Sequence, residues 1–148
     1  MDRFAQVLYD LGKVIHVDLS PDKKRICRLN VEGRLHIQIE CEEAKERLLL
    51  ATFVGEVPAG KFRENALKEA LKNNSQYPRI GTFAYVERNN QLALQQYVPL
   101  EGLTGEKFAS ILTPFIEMAN HWVLALQKGT VPTIDVSTRG GSSMFGLR

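Results

Sequence analysis

The feature that most constrains the fold is "ICRLNVEGRLHIQIE", residues 26–40. Cys27, Leu29 and Val31 alternate with Arg28 and Asn30, and Leu35, Ile37 and Ile39 alternate with His36 and Gln38. A period of two sends alternate side chains to opposite faces of a strand, so each half reads as a strand with one apolar face. Glu32-Gly33 between them supplies the tight turn of a hairpin. The centre of the chain is therefore antiparallel sheet.

The neighbouring segments extend that sheet and supply helices to pack on it. Residues 41–46, "CEEAKE", form a charged connection, and "RLLLATFVGE" (47–56) is apolar on both sides, as a central strand would be. A second hairpin runs from Thr82 to Arg88, turns at Asn89-Asn90 and returns over residues 91–98 before Pro99. Asp2 can cap a first helix bearing Phe4, Val7, Leu8 and Leu11, with Gly12 placed to end it, and 16–24 reads as a loop. Residues 60–73 place Phe62, Ala66, Leu67, Ala70 and Leu71 on one helical side, ending at Asn73-Asn74. Thr104 can cap a long last helix whose stripe runs from Phe108 through Leu112, Phe115, Ala119, Trp122 and Leu126 to Gly129. Pro114 should kink it. The expected fold is α+β, a single domain over residues 1–128 in the order αβββαββα with helices packed on a twisted antiparallel sheet. Residues 129–148, with Gly140-Gly141-Ser142-Ser143, read as a flexible tail.

Several function classes are disfavoured. At 148 residues, 44% hydrophobic and 24% charged, the composition is that of an ordinary globule, and no apolar run reaches the ~18 residues a membrane helix needs. The first residues carry no signal-peptide pattern, so a cytoplasmic location without membrane insertion is expected. A net charge of +2 is too small to imply nucleic acid. "RIGTFAYVERNN" (79–90) approaches an RNA-reading strand, which makes an RNA-binding module using Phe83 and Tyr85 the alternative reading, but Thr82 breaks the spacing and the element order is wrong for that fold. His16, His36 and His121 stand in no metal-ligand spacing, and Cys27 and His36 fall in opposite phases of their strands, so no metal is expected. No nucleophile elbow, phosphate loop or dinucleotide fingerprint occurs, so neither catalytic residues nor cofactors are expected.

What remains is surplus apolar material. Ile26, Leu49, Ala51 and Phe53 put apolar groups on the second face of the sheet, where a second subunit, a bound peptide or the helix at 60–73 must cover them.

The order αβββαββα, with "FAQVLYDLG", "CRLNVEGRLHIQIE", "LATFVGEVP", "ERNNQLALQQYVPL" and "FIEMANHWVLALQKG", resembles the class I chaperones of bacterial type III secretion, the Tir-chaperone family. The resemblance covers residues 2 to about 128. It implies a non-enzymatic cytosolic homodimer that holds the N-terminal segment of a secreted effector in extended form, by hydrophobic grooves and strand addition. The secretion-system ATPase or sorting components are further implied partners. The cargo surface should then involve Val7, Leu8, Leu11, Leu29, Val31, Leu35, Ile37 and Ile39, with Leu50 and Phe53 on the next strand. The dimer surface should involve Phe62, Leu67, Leu71, Ile80, Phe83 and Tyr85. Such chaperones are usually acidic, whereas this chain has a pI of about 8.6 and Lys23-Lys24-Arg25 before the first strand, which suits an acidic or neutral cargo better.

Overall fold

A computed structural model of the chain describes residues 2–133, so residues 134–148, most of the expected tail, lie outside it. The described elements are α1 (Arg3–Ile15), β1 (Ile26–Val31), β2 (Leu35–Glu42), β3 (Arg47–Glu56), α2 (Lys61–Asn74), β4 (Thr82–Val86), β5 (Gln91–Pro99) and α3 (Gly105–Gln127). The five strands form one antiparallel sheet in the order β1-β2-β3-β5-β4. This is the αβββαββα order that the hydrophobic pattern predicts.

Strand phase decides where the core lies. Cys27, Leu29, Leu35, Ile37, Ile39, Leu48, Leu50, Leu92, Leu94 and Val98 all point to one face and are buried there. α1 brings Phe4, Val7, Leu8 and Leu11 to that face, and α3 brings Phe108, Leu112, Phe115, Ala119 and Trp122. α2 sits at the β4 end of the same face, with Leu67, Ala70 and Leu71 beside Phe83, Tyr85 and Leu92. All three helices therefore lie on one side of the sheet. The expectation that the helix at 60–73 could cover the other side is overturned, because α2 meets the inner-phase residues of β4 and β5.

The helix ends follow the local chemistry with one correction. Asp2 caps α1 by accepting from the Ala5 N–H at 2.8 Å, and Thr104 caps α3 by accepting from the Lys107 N–H at 3.1 Å. α1 does not stop at Gly12; it runs to Ile15 and ends on His16 in the left-handed region, φ 62°. Gly12 is there for space: a Cβ would lie 2.3 Å from the Val17 carbonyl oxygen of the returning loop. Gly105 has the same role between helices, since its Cβ would lie 2.6 Å from the Asp10 carbonyl oxygen of α1. α3 is one continuous helix through Pro114.

The first hairpin turns where the sequence pattern places it, over residues 32–34. Glu32 and Gly33 both take positive φ, 53° and 67°, closing the first hairpin through Arg34 N–H to Val31 carbonyl at 3.0 Å. β4 ends at Val86 rather than Arg88, because Glu87–Asn89 wind into a 3-10 turn that Asn90 closes at φ 55°.

At the β4 edge, Asn74 at the end of α2 acts as a substitute strand. Its amide donates to the Phe83 carbonyl at 3.0 Å and accepts from the Phe83 N–H at 2.8 Å. Replacing it with Ala strands two part-buried backbone groups, so Asn74→Ala should lower unfolding stability by about 1–3 kcal/mol, measured by urea titration at unchanged slope. A loss below ~0.5 kcal/mol would show that water replaces the clamp at no cost.

Candidate functional site

With every helix on the inner face, no element among the described residues covers the outer face of the sheet. Its central rows are set by register: Leu49 lies opposite Tyr97, Ala51 lies between Gln38 and Gln95, and Phe53 lies opposite Ala93, which in turn faces Ala84. Phe53 and Tyr97 are each 45% exposed, while Leu49, Ala51, Ala84 and Ala93 are half-buried by their neighbours. A register shift between Phe53 and Gly55 turns Gly55 towards α3, where it packs under Leu126, and leaves Phe53 as the last outward ring of β3. Arg47 closes the other end of the patch. Its guanidinium lies 3.6 Å from the centre of the Tyr97 ring and donates to Glu42 at 2.5 Å. The result is an apolar strip two strands wide with a polar margin of Gln38, Gln95, His36 and Arg47. Such a surface is suited to hold an extended apolar segment.

A second apolar feature lies between α2 and β4. Leu67, Ala70, Leu71, Asn74, Phe83, Ala84, Tyr85 and Leu92 surround a notch of about 210 Å³. Leu71 stands 68% exposed at its mouth. Phe83 is at its floor, 5% exposed, its ring 4.6 Å from that of Trp122, and the Tyr85 hydroxyl donates to Asn90 at 2.8 Å. The RNA reading fails here: neither ring is free to stack on a base, because Phe83 is stacked within the core and Tyr85 lies against α2.

The two residue sets expected from the sequence fare differently. Of the expected cargo residues, Val7, Leu8, Leu11, Leu29, Leu35, Ile37, Ile39 and Leu50 are buried, Val31 is half-buried, and Phe53 stands outside. The buried ones belong to the inner phase that α1 and α3 cover, so they form the protomer's core rather than an open groove. Of the expected dimer residues, Leu67, Leu71, Phe83 and Tyr85 meet around the notch. Phe62 is separated from them and lines a hollow with Gly129, Val131 and Thr133, where the chain leaving α3 returns along α2. Ile80 is half-buried in the connection before β4. Tyr97 and Leu49 are the outer-face residues missing from the expected cargo set. The signal for Tyr97 is its alternation with Leu94, Gln96 and Val98 along β5, which places it opposite the core.

The remaining polar features are structural. Arg25, at φ 65°, joins Asp2 and Glu43 by ion pairs and lies 5.3 Å over the Phe4 ring, tying α1 to the sheet. Hydrogen bonding to the Ala5 N–H and to Arg25 holds the Asp2 carboxyl below the ordinary carboxylate range. Burial pushes both thiols, Cys27 and Cys41, up from the ordinary cysteine value, which favours the unreactive protonated form. Cys27 faces the core and His36 faces outward, as the strand phases require.

Residues 6–123 match the family described as Tir chaperone protein (CesT) family, and the chain belongs to that family. No curated protein sequence matches it. Among solved structures it is similar to a chain of the HopA1-SchA chaperone-effector complex at 19% identity, over 83% of this chain and 94% of that one, with a TM-score of 0.68. It is similar also to a chain of the ExsC-ExsE complex, at 19% identity over 85% and 97% with a TM-score of 0.67. A third likeness is to the Yersinia pestis type III secretion chaperone SycH in complex with a stable fragment of YscM2, at 13% identity over 80% and 98%, TM-score 0.66. At these identities the shared property is the fold.

Proposed function

We propose that the chain is a class I type III secretion chaperone that binds the N-terminal segment of one or more secreted effectors in extended form, keeping it soluble and ready for export. The observation that carries this reading is the outer face that the described residues leave uncovered, with Phe53 and Tyr97 half exposed at its two ends, in a chain of the Tir chaperone family. The protein acts by binding alone, without an enzymatic step. Its place is the bacterial cytoplasm, in keeping with the absence, among the described residues, of any helix long and apolar enough to cross a membrane. The secretion-system ATPase or sorting components then receive the loaded complex. Capture from the native cytosol with mass spectrometry tests the reading: the retained proteins should be secretion substrates whose export falls when the chaperone gene is deleted. Unchanged export of every retained protein would sink it.

The chaperone is proposed to work as a homodimer joined through α2 and β4. Leu71 is the residue to test, since a leucine 68% exposed beside an apolar notch of its own chain has the geometry of a two-fold contact in which each copy fills the other. Leu71→Asp should weaken self-association by roughly 2 kcal/mol or more without loss of fold, read as a shift to monomer in light scattering. A dimer of undiminished strength would place the interface elsewhere.

A further inference from the structure

We propose that the hollow beside Tyr97, where β5 outruns β4, holds the carboxamide of an asparagine or glutamine side chain of the captured segment. The inference rests on the chaperone reading and names a residue type that the segment carries next to its apolar groups.

Strand phase leaves one donor and one acceptor open there. On β4 the backbone of Phe83 is bonded by the Asn74 side chain, so it faces away from β5, and Leu94 opposite it faces β3. Alternation then turns the backbone of Gln96 and Val98 to β3, and that of Gln95, Tyr97 and Pro99 to the β4 side. β4 meets only the first of these three. Its pairing begins with Thr82 opposite Gln95, because Gly81 before it, at φ 72°, is not extended. Among the described residues nothing bonds the Tyr97 N–H or C=O. Pro99, the next outward residue, has no N–H, so the gap is unsuited to register an added strand and presents a complete backbone pair at Tyr97 alone.

Phe83 shows how such a pair is satisfied. A single Asn74 carboxamide donates to its carbonyl at 3.0 Å and accepts from its N–H at 2.8 Å. The hollow at Tyr97 has a volume of about 470 Å³ and is bounded by Arg79, Gly81, Thr82, Gln95 and Gln96, with Gln96 Oε1 buried and without a partner. A carboxamide seated against Tyr97 repeats the Asn74 clamp and has a second amide hydrogen left for the Gln96 oxygen. A carboxylate accepts from the Tyr97 N–H but has no proton for either oxygen, and an ammonium group donates but does not accept. Each leaves a polar group of the hollow unpaired, which costs more than the bond it forms returns. The Arg79 guanidinium, held by the Asn74 carbonyl at 2.8 Å, repels a cation and attracts a carboxylate, so an aspartate separates the effect of charge from that of the clamp. Residues 134–148 contain neither Asn nor Gln, so the group comes from another chain. The Tyr97 ring ends the outer strip, and a segment lying along the strip brings its flanking residue to the hollow.

Fluorescent peptides Ser-Val-Thr-Val-Xaa-Val-Thr-Val-Ser, with Xaa as Asn, Gln, Asp, Lys or Ala, test this against the full chain by anisotropy. The Asn or Gln peptide should bind about tenfold or more tighter than the Asp, Lys and Ala peptides. Gln96→Met removes the orphan oxygen from a half-buried side chain of similar length, and should reduce that preference about fivefold while leaving the affinity of the Ala peptide unchanged. Hydrogen exchange on the parent chain needs no variant: the Tyr97 amide should exchange freely in the unliganded protein and about tenfold more slowly with the Asn peptide bound. Equal affinity for all five peptides, tightest binding of the Asp peptide, or a Tyr97 amide already protected in the free chain would overturn the proposal. So would a change of self-association in Gln96→Met, which would put the hollow between two copies. Capture of native partners that persists while the peptides show no carboxamide preference removes this inference alone, whereas loss of all capture removes the chaperone reading.

Discussion

A chain carrying Leu35→Asp and Ile37→Asp together is expected not to fold. Both side chains are fully buried in β2, one strand in from the edge, with α1 and α3 over them. Burying a carboxylate there forces it either to ionise without a partner or to hold its proton at neutral pH, and the replaced apolar contacts leave poorly filled space. Each change costs on the order of 3–5 kcal/mol, against a total stability of about 5–15 kcal/mol for a domain of this kind. Circular dichroism of the purified variant should show loss of the cooperative thermal transition, and most of the expressed chain should be insoluble. The neighbours supply the control: His36→Asp and Gln38→Asp lie on the outer face of the same strand and should change stability by no more than ~0.5 kcal/mol. A folded double variant that has merely lost its partner would restore Leu35 and Ile37 to a binding groove.

That pair marks the boundary between what the sequence settles and what it leaves open. Alternation along 26–40 divides the residues into two faces without saying which face the helices cover when both contain apolar groups. On β3 the ambiguity is complete: "RLLLATFVGE" is apolar in both phases, yet Leu48 and Leu50 are core while Leu49 and Ala51 lie outside. The shift after Phe53 is invisible to a period-two count, because it depends on Gly55 meeting Leu126 of a helix some seventy residues later. Tyr97 joins the outer strip through its pairing with Leu49, and that pairing needs β5 to insert between β3 and β4, a topological choice that local pattern does not encode. The grouping of Leu67, Leu71, Phe83 and Tyr85 comes from the family resemblance rather than from periodicity, and they meet around the notch because a short connection joins α2 to β4. Gly12 misleads for the opposite reason: it resembles a helix stop, and the close approach of the Val17 carbonyl is what requires it.

Phe53→Asp combined with Tyr97→Asp should leave the protomer folded and abolish capture of its partner. Both rings are about half exposed, so an aspartate at either position keeps access to water and carries no penalty comparable to that at Leu35. The main cost to the fold is the contact of Arg47 with the Tyr97 ring, worth about 0.5–1 kcal/mol at an exposed site. The cost to binding is larger. An extended segment laid along the strip buries its apolar side chains against these two rings at its ends, and aromatic anchors of an interface each contribute roughly 2 kcal/mol or more. Two charges on the strip would also have to be desolvated by any apolar ligand. Titration calorimetry with the captured partner should show affinity falling by well over a hundredfold, with Phe53→Leu retaining most of it. The proposed dimer should persist, because neither Phe53 nor Tyr97 lines the notch beside Leu71. Undiminished partner affinity in a folded Phe53→Asp, Tyr97→Asp chain would show that the outer face is not where the segment lies.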